Sequence, residues 1–445
     1  MKKLVALLIV LAMMACLFVG CGGGGGGGSI SDAATEAEVE VPADTGEAAV
    51  NTDFKVGIVL IGDENEGYSY AHISGLETAL EALGLDKNAN AVWKYSVPED
   101  ETCYDAIVDC IDQGCGLVIT NSYGHQSFAQ QAAAEYPEIE IISMTGDTAR
   151  AANLPNFHNA FTEIYEARYA AGVVAGMKIK ELADGGQLSD ANYDADGNVK
   201  IGYVGAYPFA EVVSGYTAFY LGAKSVYEQV AMEVQYTNSW FDITGENEAA
   251  VALISDGCVI ISQHADSTGA PSACEAALAG GTTVYCVGYN IDMLSAAPNA
   301  ALISPTNNWA VYYEYAVGAA MNGEEIAQNW AEGFDQDAVS LTALGPNAAP
   351  GTQEALDAAI AGLKDGTIHP FAVENFTCLN SYVEGETTAF AIDADGRVTS
   401  AFASDTDGDF TADADEAIID GYYHESYFQA APSFSLRVDG ITELN

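Results

Sequence analysis

The run VGIVLI at residues 56–61, followed by GDENEGYSYAHISG at 62–75, decides how this chain is read. The apolar run has too little polar alternation for a half-exposed strand, so it predicts a central parallel strand buried on both faces. The glycine-rich segment after it predicts a polar crest. Ile73, Leu76, Leu80 and Leu83 then recur at helical spacing up to Gly84, a residue suited to a left-handed helix cap. In an open α/β sheet, ligands sit beyond the carboxyl ends of the strands, where Tyr68 and Tyr70 place flat apolar faces.

The alternation continues outward from this stretch. Strands are expected at 91–97, 117–120 and 139–144, with helices at 71–83, 101–113 and 126–135, as in a doubly wound parallel sheet. The third strand ends in a second polar and aromatic crest that carries Ser122 and Tyr123. IYEARYAAGVVAGMKIK at 164–180 reads as a helix whose Ala and Gly residues allow close packing at a lobe junction. A second series of strands follows at 200–204, 232–237, 258–262 and 283–287. Its loops present Tyr207, then Trp240 and Asp242, then His264 and Asp266, then Asn290 and Asp292.

Two such lobes describe an α/β protein with a cleft between hinged domains, the architecture of a periplasmic-type binding protein. Lobe 1 is assigned to 54–162 and 301–325, and lobe 2, with a C-terminal extension, to 163–300 and 326–445. Hairpins on lobe 2 are expected from 371 onward, after a helix at 352–363.

The 445 residues are 49% hydrophobic, enough to bury real cores. With 14 Lys and Arg against 64 Asp and Glu, the formal charge of -50 argues against a phosphate backbone or an anionic membrane surface as partner. A neutral or cationic small ligand fits better, and no nucleic acid is expected. The same acidity also serves the solubility of an exported protein.

Lys2 and Lys3 precede an apolar run from Leu4 to Val19, which is short for a membrane span and typical of an export signal. Phe18-Val19-Gly20-Cys21 resembles a bacterial lipobox, which makes Cys21 the expected lipidated N-terminus of the mature protein. Residues 1–21 are thus a signal, and the Gly-rich and then Ala/Glu/Thr-rich stretch at 22–53 is a flexible tether outside the fold. Apart from Cys16 and Cys21, seven cysteines remain, an odd number with no C-x-x-C pair. They read as buried thiols rather than a disulfide framework or a zinc site.

The segments GYSYAHISG (67–75), IYEARYAAGVVAG (164–176), KIGYVGAYPFAEVVSGYTAFYLGA (200–223), TNSWFD (237–242), QHADS (263–267), GYNIDM (288–293) and LISPTNNW (302–309) together resemble the basic membrane protein family of substrate-binding lipoproteins. These are relatives of the purine nucleoside receptor of ABC transporters. The resemblance implies a type I binding-protein fold with three hinge crossings and a purine held between aromatic rings from opposite lobes. It places those rings at Tyr68 and Trp240. Asn65 stands where relatives often have Asp, Asn290 at another commonly acidic position, and Asp292 keeps an acidic residue of its motif. Asn307 stands where the nucleoside receptors carry a Lys, which favours free bases over nucleosides. The implied partners are an ABC permease with its ATPase subunits, and a membrane reached through the lipid anchor on the extracytoplasmic side.

A neutral purine is poorly solvated on its faces and hydrogen-bonds at its edges, so aromatic rings with amides and carboxylates suit it. Another planar or sugar-like ligand is the alternative. His264 either donates to a ring nitrogen or bonds within its own loop, and Asp242 either holds a base amino group or caps a helix. No G-x-S-x-G, Walker or G-x-G-x-x-G motif is found, so no enzymatic activity is expected. A surface adhesin would leave the two sets of cleft loops without a role. No cofactor is expected except one candidate: Asp405, Asp407, Asp409 and Glu416 take positions 1, 3, 5 and 12 of a calcium loop, although Phe410 replaces the glycine of position 6. An acidic hairpin is the competing reading. Replacing Cys21 with Ser is expected to release the protein from membranes or leave it unprocessed; detergent-dependent membrane attachment of C21S would contradict the lipid anchor.

Overall fold

The computed structural model describes residues 53–379, 388–403 and 415–445. The first lobe is built in chain order from β1 (Val56–Val59), α1 (Gly67–Ala82), β2 (Ala91–Lys94), α2 (Glu101–Asp112), β3 (Leu117–Thr120), α3 (Gln126–Glu135), β4 (Glu140–Met144), the short α4 (Ala149–Ala152) and β5 (Phe157–Thr162). Helix α5 (Ile164–Asp184) leads into β6 (Val199–Gly205), α6 (Ala210–Val226), β7 (Val230–Tyr236), α7 (Ile243–Asp256), β8 (Ile260–Gln263), α8 (Gly269–Ala279), β9 (Tyr285–Val287) and β10 (Ala301–Ile303). Then come β11 (Pro305–Asn307), α9 (Trp309–Asn322), β12 (Asn329–Glu332), β13 (Val339–Leu341), α10 (Thr352–Lys364), hairpins β14–β15 (Thr388–Ile392, Val398–Ala403) and β16–β17 (Ile418–Ile419, Tyr422–Tyr423), and β18 (Ile441–Glu443).

Two six-stranded parallel sheets result, ordered β12-β5-β4-β3-β1-β2 and β10-β9-β8-β6-β7-β18. The central strands β1, β3 and β5 are buried along their whole length, as the apolar run at 56–61 predicts. In both sheets the strand order reverses beside the first strand, so the switch points lie between β1 and β3 and between β6 and β8. The chain passes between the lobes at 162–164, at 304–308 and at 333–338. The β11–β13 ladder forms part of that hinge.

Three expectations are corrected. Residues 301–303 close the second sheet rather than returning to the first lobe, whereas 329–332 extend the first sheet. Helix α1 begins at Gly67 instead of 71, because the Glu66 side chain accepts hydrogen bonds from the Tyr68 and Ser69 amides and caps it early. The C-terminal extension touches both lobes rather than the second alone. β18 pairs with β7, while Asp415 pairs with Arg150 at 3.1 Å and the Ala431 amide donates to the Gly146 carbonyl. The seven described cysteines are free thiols and buried.

The close approach read from 164–180 is made by α5 against α6 within the second lobe. A Cβ on Gly172 would lie 2.1 Å from the Phe219 carbonyl oxygen, and one on Gly222 2.1 Å from that of Tyr169. Gly172→Ala is therefore expected to destabilise the fold by about 1 to 3 kcal/mol in thermal unfolding. Gly318→Ala on α9, whose Cβ would meet only the end of Leu83 at 3.5 Å, is expected to be neutral or stabilising by up to about 1 kcal/mol.

Candidate ligand-binding cleft

Between the carboxyl edges of the two sheets lies a cavity of about 520 Å³. The loops after β1 through β4 supply one wall and those after β6 through β9 the other, which is where switch-point topology places a ligand. Asn65, Tyr68, Ser122 and Tyr123 line it from the first lobe, and Tyr207, Trp240, His264 and Asp266 from the second. The lobes are closely apposed. Gly67 at the start of α1 sits where a Cβ would be 3.4 Å from the Asp266 carbonyl, and the Tyr123 and Phe209 rings meet across the cleft with centroids 6.3 Å apart.

Tyr68 is half-buried on the first turn of α1. Its hydroxyl donates to the Asn121 carbonyl, and its ring stands edge-on to His72, which stacks on Trp309 at 4.5 Å. Opposite it, Trp240 packs against Tyr207 at 5.5 Å and Phe209 at 6.2 Å. Tyr70 is 48% exposed and lies away from the cavity, because the early start of α1 turns it outward. Thr145, also at the wall, holds φ at 60°, a strained conformation for a β-branched residue.

Among the described residues, five carboxylates line the cavity, those of Asp63, Glu66, Glu99, Glu211 and Asp266, and no Lys or Arg lines it. Several are already engaged. Asp63 accepts from both the amide and the side chain of Asn65, and Glu99 accepts from the Ser122 hydroxyl at 2.5 Å and the Gly124 amide at 2.9 Å. Burial raises the Glu66 carboxyl above its ordinary range against the pull of the Ser69 and Tyr68 amides. It also raises Asp266, with Glu66, Glu246 and Glu211 adding repulsion.

Three expected ligand contacts lie outside the cavity wall. Asp242 is exposed and caps α7, accepting from the Thr244 and Gly245 amides at 3.1 and 3.0 Å. Asp292 caps the turn at 293–295. Asn290 is buried behind Asp266, donating to it at 2.8 Å and accepting from Asn307 at 3.0 Å. Asn307 in turn accepts from the Thr162 hydroxyl at 2.5 Å, so a chain of side chains joins the cavity floor to two hinge crossings. Asp405, Asp407 and Asp409 lie outside the described residues, as does Cys21. Glu416 accepts from the Ala401 and Ile418 amides. Among the described residues no cluster of His, Cys, Asp and Glu is arranged to hold a metal ion.

Sequence reading missed Glu66, Glu99, Thr145, Glu211 and Tyr289, all of which line the cavity. Thr145 follows β4, whose end carries no aromatic signal, and Glu99 lies past the aromatic Tyr95 that follows β2. Glu211 stands just past the aromatic crest at 207–209, where position at a strand end was the available clue.

The family described as PnrA-like ABC transporter substrate-binding proteins matches residues 64–361. The chain belongs to this family. It is 30% identical to a purine-binding protein of Brucella abortus over 73% of this chain and 85% of that one. It is 32% identical to a putative ABC transporter glucose-binding protein of Haloferax volcanii over 52% of each. An ABC transporter solute-binding protein from Conexibacter woesei shares the fold, with a TM-score of 0.56 at 20% identity over 71% of this chain and 98% of that one. The family is one of transport proteins that work outside the cytoplasm. No described helix is long and apolar enough to cross a membrane.

The buried acids have a consequence for stability. Burial pushes Glu211, Glu246 and Glu166 up to about 7 and Glu425, with neighbouring acids adding to it, up to about 8. Each binds its proton more tightly folded than unfolded, so folding is favoured below about pH 4.5 to 5 and that advantage is lost as pH rises through 7 to 8. Burial holds the imidazoles of His72, His125 and His264 below their ordinary value of 6.5, which works in the opposite sense as pH falls below that value, so the unliganded protein is expected to melt at a lower temperature at pH 8 than at pH 6.5. The difference is on the order of 1 to 3 kcal/mol after allowance for the solvent that reaches Glu166 and Glu211. Equal melting temperatures would contradict it.

Proposed function

We propose that this chain is the lipid-anchored, extracytoplasmic binding component of an ABC importer, that it encloses a purine base or nucleoside between its lobes, and that it hands this ligand to the permease. The observation that carries the reading is a cavity bounded by Tyr68 and Trp240 from opposite lobes and edged with carboxylates. Rings suit the faces of a planar heterocycle, and carboxylates suit its N–H edge. The volume lies within the range of small-molecule sites. The purine-binding relative from Brucella abortus supports the same class of ligand.

Closure of two hinged lobes completes such a site and explains retention of the ligand until release. A preference for free bases is supported by Asn307, which brings no charge and is committed to Tyr289, Asn290 and Thr162 behind the wall.

Calorimetry against adenine, guanine, hypoxanthine, their nucleosides and glucose tests the ligand class. At least one purine is expected to bind, with free bases ahead of nucleosides; binding of glucose alone would overturn the purine reading, and tighter binding of inosine or guanosine would overturn the base preference. Tyr68→Ala and Trp240→Ala are each expected to weaken binding by about 1 to 3 kcal/mol, roughly tenfold to over a hundredfold. Their unliganded melting temperatures are expected to stay near that of the parent. Normal binding by both variants, or a defect confined to stability, would make these rings packing residues.

A further inference from the structure

Beneath the cavity lies a buried cation that the stacking of a planar ligand does not require. Arg168 on α5 is wholly inaccessible to solvent. Its guanidinium lies over the Tyr289 ring at 3.8 Å, and one terminal nitrogen donates to the Gln263 carbonyl at 2.6 Å. Nε and the other terminal nitrogen find no hydrogen-bond partner among the described residues, and no carboxylate there is within ion-pair distance. An unpaired buried charge costs several kcal/mol unless its field offsets another buried charge.

Two groups stand in that field. Glu211, in the first turn of α6, lines the cavity. His264, which is 1% exposed, places Nε2 at 3.1 Å from a Glu211 carboxylate oxygen and Nδ1 at 3.3 Å from the Tyr203 hydroxyl. Gly215, one turn beyond Glu211, makes the convergence possible, since a Cβ there would fall 2.7 Å from His264 Nδ1 and 3.5 Å from Arg168 Nε. Both imidazole nitrogens are thus committed to protein partners, which leaves the carboxylate as the polar group offered to the cavity.

We infer that Glu211 is the specificity-determining acceptor of the cleft, oriented by His264 and Arg168, and that a bound ligand must turn an N–H group toward it. The inference rests on the planar-heterocycle reading above and adds the edge chemistry. Arg168 and His264 are positioning residues. Burial disfavours both imidazolium and carboxylate; the cation adds to the first effect and opposes the second. Tyr68, Tyr203, Tyr289, Asp266 and Glu425 also face Glu211 and feel its charge.

Adenine is the probe, by calorimetry at pH 6 and pH 8. Unmutated protein is expected to bind it more weakly at pH 6, where Glu211 holds its proton. Glu211→Gln is expected to bind about tenfold more weakly at pH 8, because a charged acceptor becomes neutral, and to lose the pH dependence. If no purine binds the unmutated protein, the purine reading falls and the acceptor assignment with it. If adenine binds and neither the substitution nor pH alters its affinity, the acceptor assignment falls alone. A ligand-free readout tests the positioning residues through ring ¹⁵N shifts of His264 and carboxyl ¹³C shifts of Glu211 at pH 8. The parent is expected to show a neutral ring protonated at Nε2 beside an ionised carboxylate. Arg168→Met is expected to take up a proton on that pair; identical shifts in the two proteins would overturn the role of Arg168.

Discussion

Burial of both faces of a parallel sheet is the constraint from which the rest of this structure follows. Each parallel pair requires a long crossover connection, in most cases a helix, the helices cover the two faces, and the strand ends are left as an exposed edge. Where the strand order reverses, between β1 and β3 and between β6 and β8, adjacent helices leave in opposite directions and a crevice opens. Two crevices facing one another make the cleft. Residues as distant in sequence as Tyr68, Tyr123, Trp240 and Asp266 therefore meet around one cavity.

The electrostatics of that cavity follow from the same geometry. Helices α1 and α6 begin at its wall, and helix N-termini carry partial positive charge that favours carboxylates. Glu66 uses this directly as the cap of α1, and Glu211 sits in the first turn of α6. The dipoles compensate only part of the desolvation, so burial still raises both carboxyls, that of Glu211 to about 7. A ligand that brings hydrogen-bond donors meets acceptors already in place, whereas a phosphate would meet five acidic side chains.

Coupling between the cavity and the hinge has a physical carrier in the chain Asp266–Asn290–Asn307–Thr162, which ends at the first two crossings. Asn290 holds φ at 61°, a conformation Asn tolerates better than most residues, and this sets its side chain between Asp266 and Asn307. The C-terminal extension adds a second connection. It completes one sheet through β18, receives a hydrogen bond from Ser214 at Glu425, and reaches the other lobe through the Arg150–Asp415 pair.

The sequence by itself determined the parallel α/β lobes and the family, because buried strands must be apolar on both faces and crest residues must be polar, glycine-rich or aromatic. It also placed Tyr68, Tyr123, Trp240 and His264 at strand ends, which is enough to bring them to one edge. What it did not hold was the partner of each polar group. Asp242 and Asp292 have the same composition signals as Asp266, yet the first two spend their oxygens on helix and turn amides while the third faces the cavity. Strand 301–303 reads the same for either sheet, and only pairing with β9 assigns it. Arg168 looks like one more residue of a small-residue helix. Tertiary structure alone buries its charge beside Glu211 and His264, because those three side chains come from elements that meet only when the second sheet and its helices pack.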